Sequence, residues 1–420
     1  MEISAAEQFV EKHYRHNFLF NMLDGAMFWI GYSFIAPGLI LPLYASHFTD
    51  NNLLLGIIPS MSAVGYMLPQ LFTANWAQRL PLKKVLPVNL GFFTERLPIF
   101  LLAPAAYFLA GSSPLAALAA LYLFFGWHSL GAGLVAVGWQ DMIAKVIPID
   151  RRGRFMGITS FLGNGTGALG AAGAAWLLAN YEFPGGYVLA FAVAALFIFL
   201  SWAFLAQTRE PPVVTHTETH SQLEYFRQLP AVVRADPNFR NFLIAQAVLN
   251  LAGMANGFLM IYAARTWGLP DSYAGTFTSV MMLFQAAANL GFGLLADRRG
   301  YKLLVELSCV LGMLAIGLAV AVPAPWIFFV VFALRGAATA AGFISSIAIT
   351  MEFTTAELRP TYIGLSNTIS GLAGFAAPLL GGWLANSLGF SAMFVICIGI
   401  GLAGLAGMFW LVKDPRKSSG

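Results

Sequence analysis

The 420-residue sequence predicts an all-α integral membrane protein, with twelve transmembrane helices in two pseudo-symmetric six-helix bundles. Three observations support this class. Hydrophobic residues make up 58% of the chain and charged residues only 10%, whereas a soluble domain carries about 25% charged residues. The apolar residues form long runs that fill nearly the whole chain. These runs occur in two similar halves, separated by a single long polar segment.

Each apolar run is long enough to cross a bilayer, because about 20 helical residues span a hydrocarbon core of about 30 Å. Lipid offers no partners to backbone polar groups, so the spans must be helices. We expect a first bundle at 1–207, a cytoplasmic linker at 208–238 and a second bundle at 239–420. The expected spans lie near residues 18–44, 53–77, 85–110, 115–144, 155–179, 185–206, 240–264, 273–296, 302–322, 325–351, 361–386 and 390–412.

The distribution of lysine and arginine orients these spans. With the N-terminus inside, all 23 of these residues except Arg96, Arg265 and Arg335 fall on the inner side. Cytoplasmic loops of membrane proteins carry such an excess of positive charge. The sequence therefore predicts a multi-pass protein of the plasma (inner) membrane with both termini in the cytoplasm. The positive charge would face lipid headgroups, so we expect no nucleic-acid partner.

The polar segment between the halves permits two interpretations. Leu223, Phe226, Leu229 and Val233 recur at helical spacing, which is typical of a short interfacial helix. A plain tether between the two bundles explains the segment equally well.

The two halves also resemble each other in sequence. The glycine-rich fifth span, LGNGTGALGAAGAAWL, parallels the eleventh, ISGLAGFAAPLLGGWLA, and a basic turn precedes each. One alignment offset, 207 residues (359 minus 152), places Arg152 on Arg359 and His128 on Arg335. Two parallel six-helix repeats are typical of secondary transporters.

One short motif points to a family. Residues 293–302 read GLLADRRGYK, between the eighth and ninth spans. This resembles the Gly-x-Leu-Ala-Asp-Arg-x-Gly-x-Lys signature of the major facilitator superfamily, and the spans and repeats extend the resemblance over the whole chain. The first-half copy at 74–84 departs from the pattern, with Gln78 in place of the acid and Pro81 in the turn.

The resemblance implies a secondary active transporter that alternates access between two bundles, and neither an enzyme nor a holder of a cofactor or metal. It also implies a monomer with a small-molecule substrate, membrane lipid around it and protons as the coupling ion. Drug or metabolite efflux is mildly favoured, because the fifth and eleventh spans partly resemble an antiporter signature. The alternatives are a lipid flippase or scramblase, and a non-transporting receptor or assembly factor with the same fold.

The resemblance also implies a cytoplasmic gate. Asp297 would face the positive N-terminal end of the fifth span, while Gly293 and Gly300 would relieve crowding in the turn. Arg298 would pair with Glu352. The alternative is an ordinary short loop. The expected gating residues are Asp297, Arg298, Gly293, Gly300, Asp141, Glu352, Arg152 and Arg359.

In the first half, the counterpart of this pairing would join Asp141 to Arg79 or Lys83. All three residues lie at the inner ends of their spans, where the positive-inside distribution already concentrates charge.

Ionisable residues deep in a span are costly and are therefore candidates for function. Glu95 and Arg96 lie roughly 15 Å into the third span at about 1.5 Å per residue. Neighbours on an α-helix point about 100° apart, so we expect at least one of them to find a partner on another helix. Glu95 is either a proton carrier or part of a buried structural pair.

Arg335 lies at a similar depth, beside small residues that leave room for a ligand. Its guanidinium can bind a carboxylate or phosphate in bidentate fashion, or it forms a structural ion pair with Glu95. Asp24 is a candidate for protonation, or contacts the basic N-terminal segment. His128 is a titrating group or a satisfied core histidine.

The site is expected at the midplane between the halves, and uncharged polar residues on the same helices complete it. The candidate substrate or coupling residues are Asp24, Glu95, Arg96, His128, Arg335, Gln246 and Asn250.

Overall fold

The computed structural model describes residues 5–148, 151–211, 232–354 and 359–415. Every regular element in these ranges is helical, which confirms the predicted all-α class. Most of the predicted interfacial helix at 223–233 lies outside the described residues. The first half contains α1 (Ala5–Ser33), α2 (Ile40–Ser46), α3 (Asn52–Met67), α4 (Gln70–Arg79), α5 (Leu86–Leu109), α6 (Pro114–Val146), α7 (Arg152–Asn180) and α8 (Gly185–Ala206). The second half contains α9 (Pro237–Ala252), α10 (Leu259–Trp267), α11 (Ser272–Arg299), α12 (Tyr301–Ala321), α13 (Ile327–Glu352), α14 (Arg359–Leu388) and α15 (Phe390–Leu411).

Nine helices in the described part of the chain are long and apolar enough to cross a membrane, with α9 and α10 counted together as Pro237–Trp267. The predicted first, second and fifth spans are not among them. α1 includes the polar N-terminal residues, and α7 is rich in glycine. The second span is divided between α3 and α4 by Pro69, because a proline lacks the N–H that would continue the helix.

Two other spans are also irregular. The first changes direction between α1 and α2, and the seventh passes through a 3₁₀ turn at Gly253–Ala255 between α9 and α10. α5 begins with two π-helical turns, Leu86–Leu90 and Phe92–Arg96, before it continues as a regular α-helix. Such π-helical turns are rare and are frequent at functional sites.

The helices pair in the same way in both halves. α1 packs on α7 and α8, while α5 packs on α6 and α8. In the second half, α9 packs on α14 and α15, while α12 packs on α13 and α15. These pairs correspond span by span, so the repeat in the sequence is also a repeat in the structure.

The described chain divides into two compact units. The first unit comprises Met1–Phe48, Met61–Glu218 and Pro270–Ser279. The second comprises Thr49–Ser60, Thr219–Leu269 and Val280–Gly420. Following the predicted topology, we call the helix ends expected at the cytoplasmic face the inner ends, and the opposite ends the outer ends. Each unit thus takes the outer end of one helix from the other half of the sequence.

These exchanged segments are held by polar contacts within each unit. In the first unit, the carboxylate of Asp271 lies 2.6 Å from Nε2 of His47 and accepts a 2.8 Å hydrogen bond from the Tyr187 hydroxyl. In the second unit, Arg265 donates a 3.0 Å hydrogen bond to the side chain of Asn52. The domain boundaries expected from the sequence stay a prediction.

Close packing in the first unit depends on small residues. At Gly170 of α7, a Cβ atom would lie 2.6 Å from the carbonyl oxygen of Ile30 on α1. The absence of that atom lets the two backbones approach each other, as small residues do between membrane helices. α1 is thereby held against α7, and its polar residues Asn17, Asn21 and Asp24 are buried.

Candidate functional site

Four ionisable side chains are buried together within the first unit. Asp24 on α1, Glu95 and Arg96 on α5, and His128 on α6 are each no more than 6% exposed. The packing of α5 on α6 and α8, and of α1 on α8, brings these residues to one region. The structure therefore collects four of the seven predicted substrate or coupling residues into one cluster.

Glu95 and Arg96 form an ion pair with each other, which corrects the expectation that neighbouring residues would point apart. Both belong to the π-helical turn Phe92–Arg96, whose wider turn changes the angular spacing of side chains. Their long side chains can then meet along the same helix. Because Arg96 already occupies Glu95, the suggested alternative of an ion pair between Glu95 and Arg335 is not needed to satisfy this carboxylate.

Hydrogen bonds connect the cluster to its surroundings. The Ser201 hydroxyl of α8 donates a 2.6 Å hydrogen bond to the carboxylate of Asp24. Asp24 also lies within electrostatic range of Arg96. Nδ1 of His128 lies 2.7 Å from the backbone carbonyl oxygen of Glu95. A carbonyl oxygen only accepts, so Nδ1 is assigned as the protonated nitrogen of this ring.

The second unit contains a separate polar cavity of about 560 Å³, between α9, α12, α13 and α14. Small-molecule sites commonly have volumes of about 300–1,000 Å³, so this cavity can hold a small organic compound. Its polar lining combines one charged side chain with neutral amides and hydroxyls: Arg335, Gln246, Asn250, Asn256, Ser345 and Thr339. Three of the seven predicted substrate or coupling residues lie here.

Arg335 lies in the wall of this cavity without an acidic partner. In the described part of the chain, the Thr339 hydroxyl donates a 2.8 Å hydrogen bond to the backbone carbonyl oxygen of Arg335, and no side-chain hydrogen bond is found for the guanidinium. The ion pairs found among these residues do not join the guanidinium to a carboxylate. A Cβ atom on Gly312 of α12 would lie only 3.2 Å from Nη1 of Arg335. Glycine at this position therefore gives the guanidinium the space it occupies.

The amides of the cavity are satisfied to different degrees. Oε1 of Gln246 accepts a 2.9 Å hydrogen bond from the Ser366 hydroxyl. Nδ2 of Asn250 and Oδ1 of Asn256 are buried without a hydrogen-bond partner among the described residues. Buried polar atoms are rarely left without partners. These two amide atoms have almost no accessible surface, so the charged group that the cavity offers to a ligand is the guanidinium of Arg335.

The predicted gate of the second half is only partly described. Arg298 is exposed at the end of α11, and the ion pairs found among the described residues do not join it to Glu352. Gly300 has a φ of 89°, which is the backbone conformation that favours glycine. Among the described residues, nothing lies within 4 Å of a Cβ atom placed on Gly293, so the expected crowding at this glycine is not found there.

The side chains of Asp297 and Arg359, like that of Arg79, lie outside the described part of the structure. Their predicted gating roles and contacts stay predictions.

In the first half, Arg152 lies at the inner ends of two helices. Its guanidinium donates hydrogen bonds to the backbone carbonyl oxygens of Ile147, at 3.1 Å, and Ala144. These carbonyls belong to the C-terminal end of α6, where a helix lacks internal donors.

Asp141 lies within electrostatic range of Lys83 and Lys145. Burial in the turn between α4 and α5 lowers the pKa of the Lys83 ammonium group.

One organising residue was missed by the sequence reasoning. The buried carboxylate of Glu210 accepts hydrogen bonds from the backbone N–H groups of Lys83 and Lys84, each at 2.8 Å. It also accepts a 3.2 Å hydrogen bond from Nζ of Lys145. Glu210 lies just after the last span of the first half, in a segment that the sequence indicates is linker. The one available signal was an acid beside two prolines, which does not reveal a distant partner.

Among the residues that the structure describes, no group of three or more His, Cys, Asp or Glu side chains is arranged to hold a metal ion.

Comparisons with known proteins agree on the family. The sequence profile of the Major Facilitator Superfamily matches residues 22–254 and 242–420. Among curated proteins, "Efflux pump hmp6" of Hypomyces subiculosus is 28% identical over 148 residues, which cover 34% of this chain and 26% of that protein. The chain thus matches only about a quarter of the length of this relative.

Solved structures extend the likeness to the whole fold. A variant of the nucleoside transporter NupG has a TM-score of 0.75 and 12% sequence identity, with 94% of this chain and 100% of that chain covered. A D-xylose-proton symporter has a TM-score of 0.72 and 16% identity, with 96% and 98% covered. At such low identity these structures establish the shared fold alone.

Proposed function

Because the chain belongs to the major facilitator superfamily, we propose that it is a secondary active transporter of a small organic solute. It would work by alternating access in the plasma (inner) membrane, with both termini in the cytoplasm. The observation that carries this proposal is the cavity of about 560 Å³, which is polar although it lies within a bundle of apolar helices. Polar groups at membrane depth are costly and are retained mainly for function.

Proton coupling is supported by the charges of the buried cluster. Glu95 and Arg96 form an ion pair, so their charges offset each other. Asp24 is then a second buried carboxylate, for which a serine hydroxyl is the hydrogen-bond partner. Two buried carboxylates thus share the single guanidinium of Arg96, and the charge left unbalanced is unfavourable. Asp24 would therefore bind a proton when the cluster is closed to water and release it when water enters.

His128 would position this cluster. Its Nδ1–H group donates to the backbone of Glu95, which fixes the π-helical turn that carries the ion pair. Its other ring nitrogen then remains available as an acceptor. The ion pair, the histidine and Asp24 together form the proposed coupling site of the first unit.

Efflux is the direction that we propose. The curated relative named as an efflux pump matches about a third of this chain, and a structure of the same fold is named as a proton symporter. Exchange of protons for an outgoing solute would use an inward proton gradient. The proposed coupling site binds and releases a proton in either case, so the same residues would serve symport and antiport.

A transport assay in proteoliposomes tests this function. The purified protein is reconstituted with a pH-sensitive dye inside the vesicles, and a panel of small organic solutes is added under an imposed pH gradient. We expect some solutes to change the internal pH, and Asp24→Asn to abolish this change while exchange of solute for solute persists. Asp50→Asn serves as the matched control, because the Asp50 side chain is fully exposed in its ion pair with Arg265.

Two results would contradict the proposal. If no solute moves with or without the gradient, the protein is not a transporter of this class. If Asp24→Asn retains solute-driven proton movement, Asp24 is not the coupling residue.

A further inference from the structure

The cavity of the second unit contains a positive charge that the described residues do not balance. We propose that it binds the carboxylate of a small organic monoanion, with Arg335 as the counter-ion and with neutral amides and hydroxyls of the cavity wall binding a neighbouring polar group. This identifies the substrate class of the transporter and rests on the proposed transport function.

The first step concerns the free-energy cost of the unbalanced charge on Arg335. Arg335 lies at membrane depth, and no acidic side chain in the described ranges accompanies its guanidinium. A guanidinium keeps its charge in proteins, so the site cannot become neutral by losing a proton. By comparison, Arg96 of the first unit has an ion-pair partner on its own helix. The charge of Arg335 is therefore best balanced by an anion that enters the cavity.

The second step concerns the charge of that anion. The other polar side chains that line the cavity in the described structure are neutral amides and hydroxyls. One guanidinium balances one negative charge, and its planar fork matches the two oxygens of a carboxylate. A phosphate monoester would bring close to two negative charges, which leaves an unbalanced charge in the cavity. A monoanionic carboxylate is therefore favoured over a phosphate.

The third step concerns the rest of the ligand. The neutral amide and hydroxyl side chains in the wall of the cavity suit a ligand group that both accepts and donates, such as a hydroxyl. Apolar side chains form the remaining wall, including Met313, Ile316 and Phe343. An apolar body can pack there. A hydroxy acid with an aromatic or aliphatic body satisfies all three features.

The chain supplies its own reporter for this site. Both cysteines, Cys309 and Cys397, line the cavity, and Cys309 is partly accessible whereas Cys397 is buried. In a Cys397→Ala variant, Cys309 is the remaining thiol, since the chain has two cysteines. It lies one helical turn from Gly312, the residue next to the guanidinium. A ligand bound to Arg335 should slow its reaction with N-ethylmaleimide.

The experiment compares three probes on the full-length protein at equilibrium. Mandelate carries a carboxylate, a hydroxyl and a phenyl group; mandelamide is its neutral counterpart; and phenyl phosphate carries the larger negative charge. The readouts are protection of Cys309 and the thermal unfolding midpoint. We expect mandelate to protect Cys309 and raise the midpoint, with mandelamide at least about tenfold weaker, because a hydrogen-bonded charge pair contributes more than a neutral one.

Variants of Arg335 link this binding to the guanidinium. Arg335→Gln should weaken mandelate binding by about tenfold or more, and Arg335→Lys should retain part of it, because the charge remains but the planar fork is lost. Lys413→Gln is the matched control, since it removes one exposed positive charge that does not line the cavity. We expect the control to bind mandelate like the parent protein.

The stability of the ligand-free variants separates binding from a structural role. If Arg335 awaits an anion, Arg335→Gln without ligand should unfold at the same or a higher temperature, because an unbalanced buried charge is removed. Lower stability would indicate a structural ion pair and would overturn the proposal. So would equal binding of mandelate and mandelamide, stronger binding of phenyl phosphate, or the failure of mandelate both to protect Cys309 and to raise the unfolding midpoint.

These outcomes are distinct from the failure of the transport function. Binding is measured at equilibrium and needs no gradient. Mandelate binding without any solute movement in proteoliposomes would remove the transport function and leave an anion-binding site. Proton-linked movement of neutral solutes without mandelate binding would remove the anion site and leave the transporter.

Discussion

At the scale of single residues, the two halves place an ionisable side chain at equivalent positions but satisfy it differently. His128 of α6 contacts the backbone of α5 through Nδ1. Its repeat partner, Arg335 of α13, lies against Gly312 of the equivalent helix α12. The histidine is satisfied by a carbonyl oxygen, whereas the guanidinium faces a cavity. The repeat therefore separates a proposed coupling site in one unit from a proposed substrate site in the other.

The pairing of Glu95 with Arg96 leads to a prediction about stability. Arg96→Gln leaves the buried Glu95 carboxylate without its counter-charge, which should destabilise the protein by about 3–5 kcal/mol. Adding Glu95→Gln removes the uncompensated charge and should restore most of the loss. Thermal unfolding of the single and double variants in detergent measures this coupling. A double variant no more stable than Arg96→Gln alone would mean that the two side chains do not act as a pair.

At the scale of secondary-structure elements, the irregular helices carry the chemistry. The ion pair lies in a π-helical turn of α5, and Asn256 follows the 3₁₀ turn between α9 and α10. Departures from regular helix turn side chains to directions that a regular helix does not offer. The inner turn between α4 and α5 is also irregular. The carboxylate of Glu210, which is distant in sequence, binds two of its backbone N–H groups.

The contacts of Glu210 predict that this turn depends on it. Glu210→Ala removes the acceptor from two backbone N–H groups and from Lys145. Leaving buried donors without an acceptor costs about 1–3 kcal/mol each. We expect faster hydrogen exchange at the amides of Lys83 and Lys84, measured by mass spectrometry of the corresponding peptides.

The control for this experiment is Glu11→Ala. The Glu11 side chain is 61% exposed in its ion pair with Arg151, and exposed pairs contribute little. Its removal should leave exchange in the turn between α4 and α5 unchanged. Equal exchange in the Glu210→Ala variant and the parent protein would show that the turn is ordered by other contacts.

At the scale of the whole molecule, the charge distribution indicates the orientation of the helices in the membrane, and the helix pairing independently indicates the internal repeat. The positive residues predict which ends of the helices face the cytoplasm, whereas the pairing of α1 with α7 and α8, repeated by α9 with α14 and α15, establishes the repeat. Both describe two equivalent halves, because the helices that pair within the first half have equivalents that pair within the second.

The orientation is testable with single cysteines. After Cys309→Ala and Cys397→Ala, we introduce Ser112→Cys in the exposed turn between α5 and α6, or Lys413→Cys after α15. A membrane-impermeant maleimide added to intact cells should label the variant at 112, whereas the variant at 413 should react only after permeabilisation. The opposite pattern would invert the proposed topology and place both termini outside.

Particular residues show how far the sequence reasoning reached. Gly300 was expected to serve a tight turn and has the positive φ that such a turn needs, but Gly293 has open space around it. The difference is spatial: a motif indicates that a turn exists without indicating which of its glycines meets a neighbour. Likewise, the ion pair of Glu95 with Arg96 was missed because the expectation assumed a regular α-helix, and a π-helical turn has no reliable sequence signal.

The sequence by itself determined the membrane class, the helical spans and the family, because these follow from local hydrophobicity, from the need to satisfy backbone hydrogen bonds in lipid, and from a short motif. Only the tertiary structure decided which buried groups have partners. Asp24 meets Ser201, and Glu210 meets the turn at Lys83, across 177 and 127 positions of sequence. Such contacts depend on how helices pack, and packing alone decided that Arg335 lines a cavity whose other polar side chains, among the described residues, are neutral.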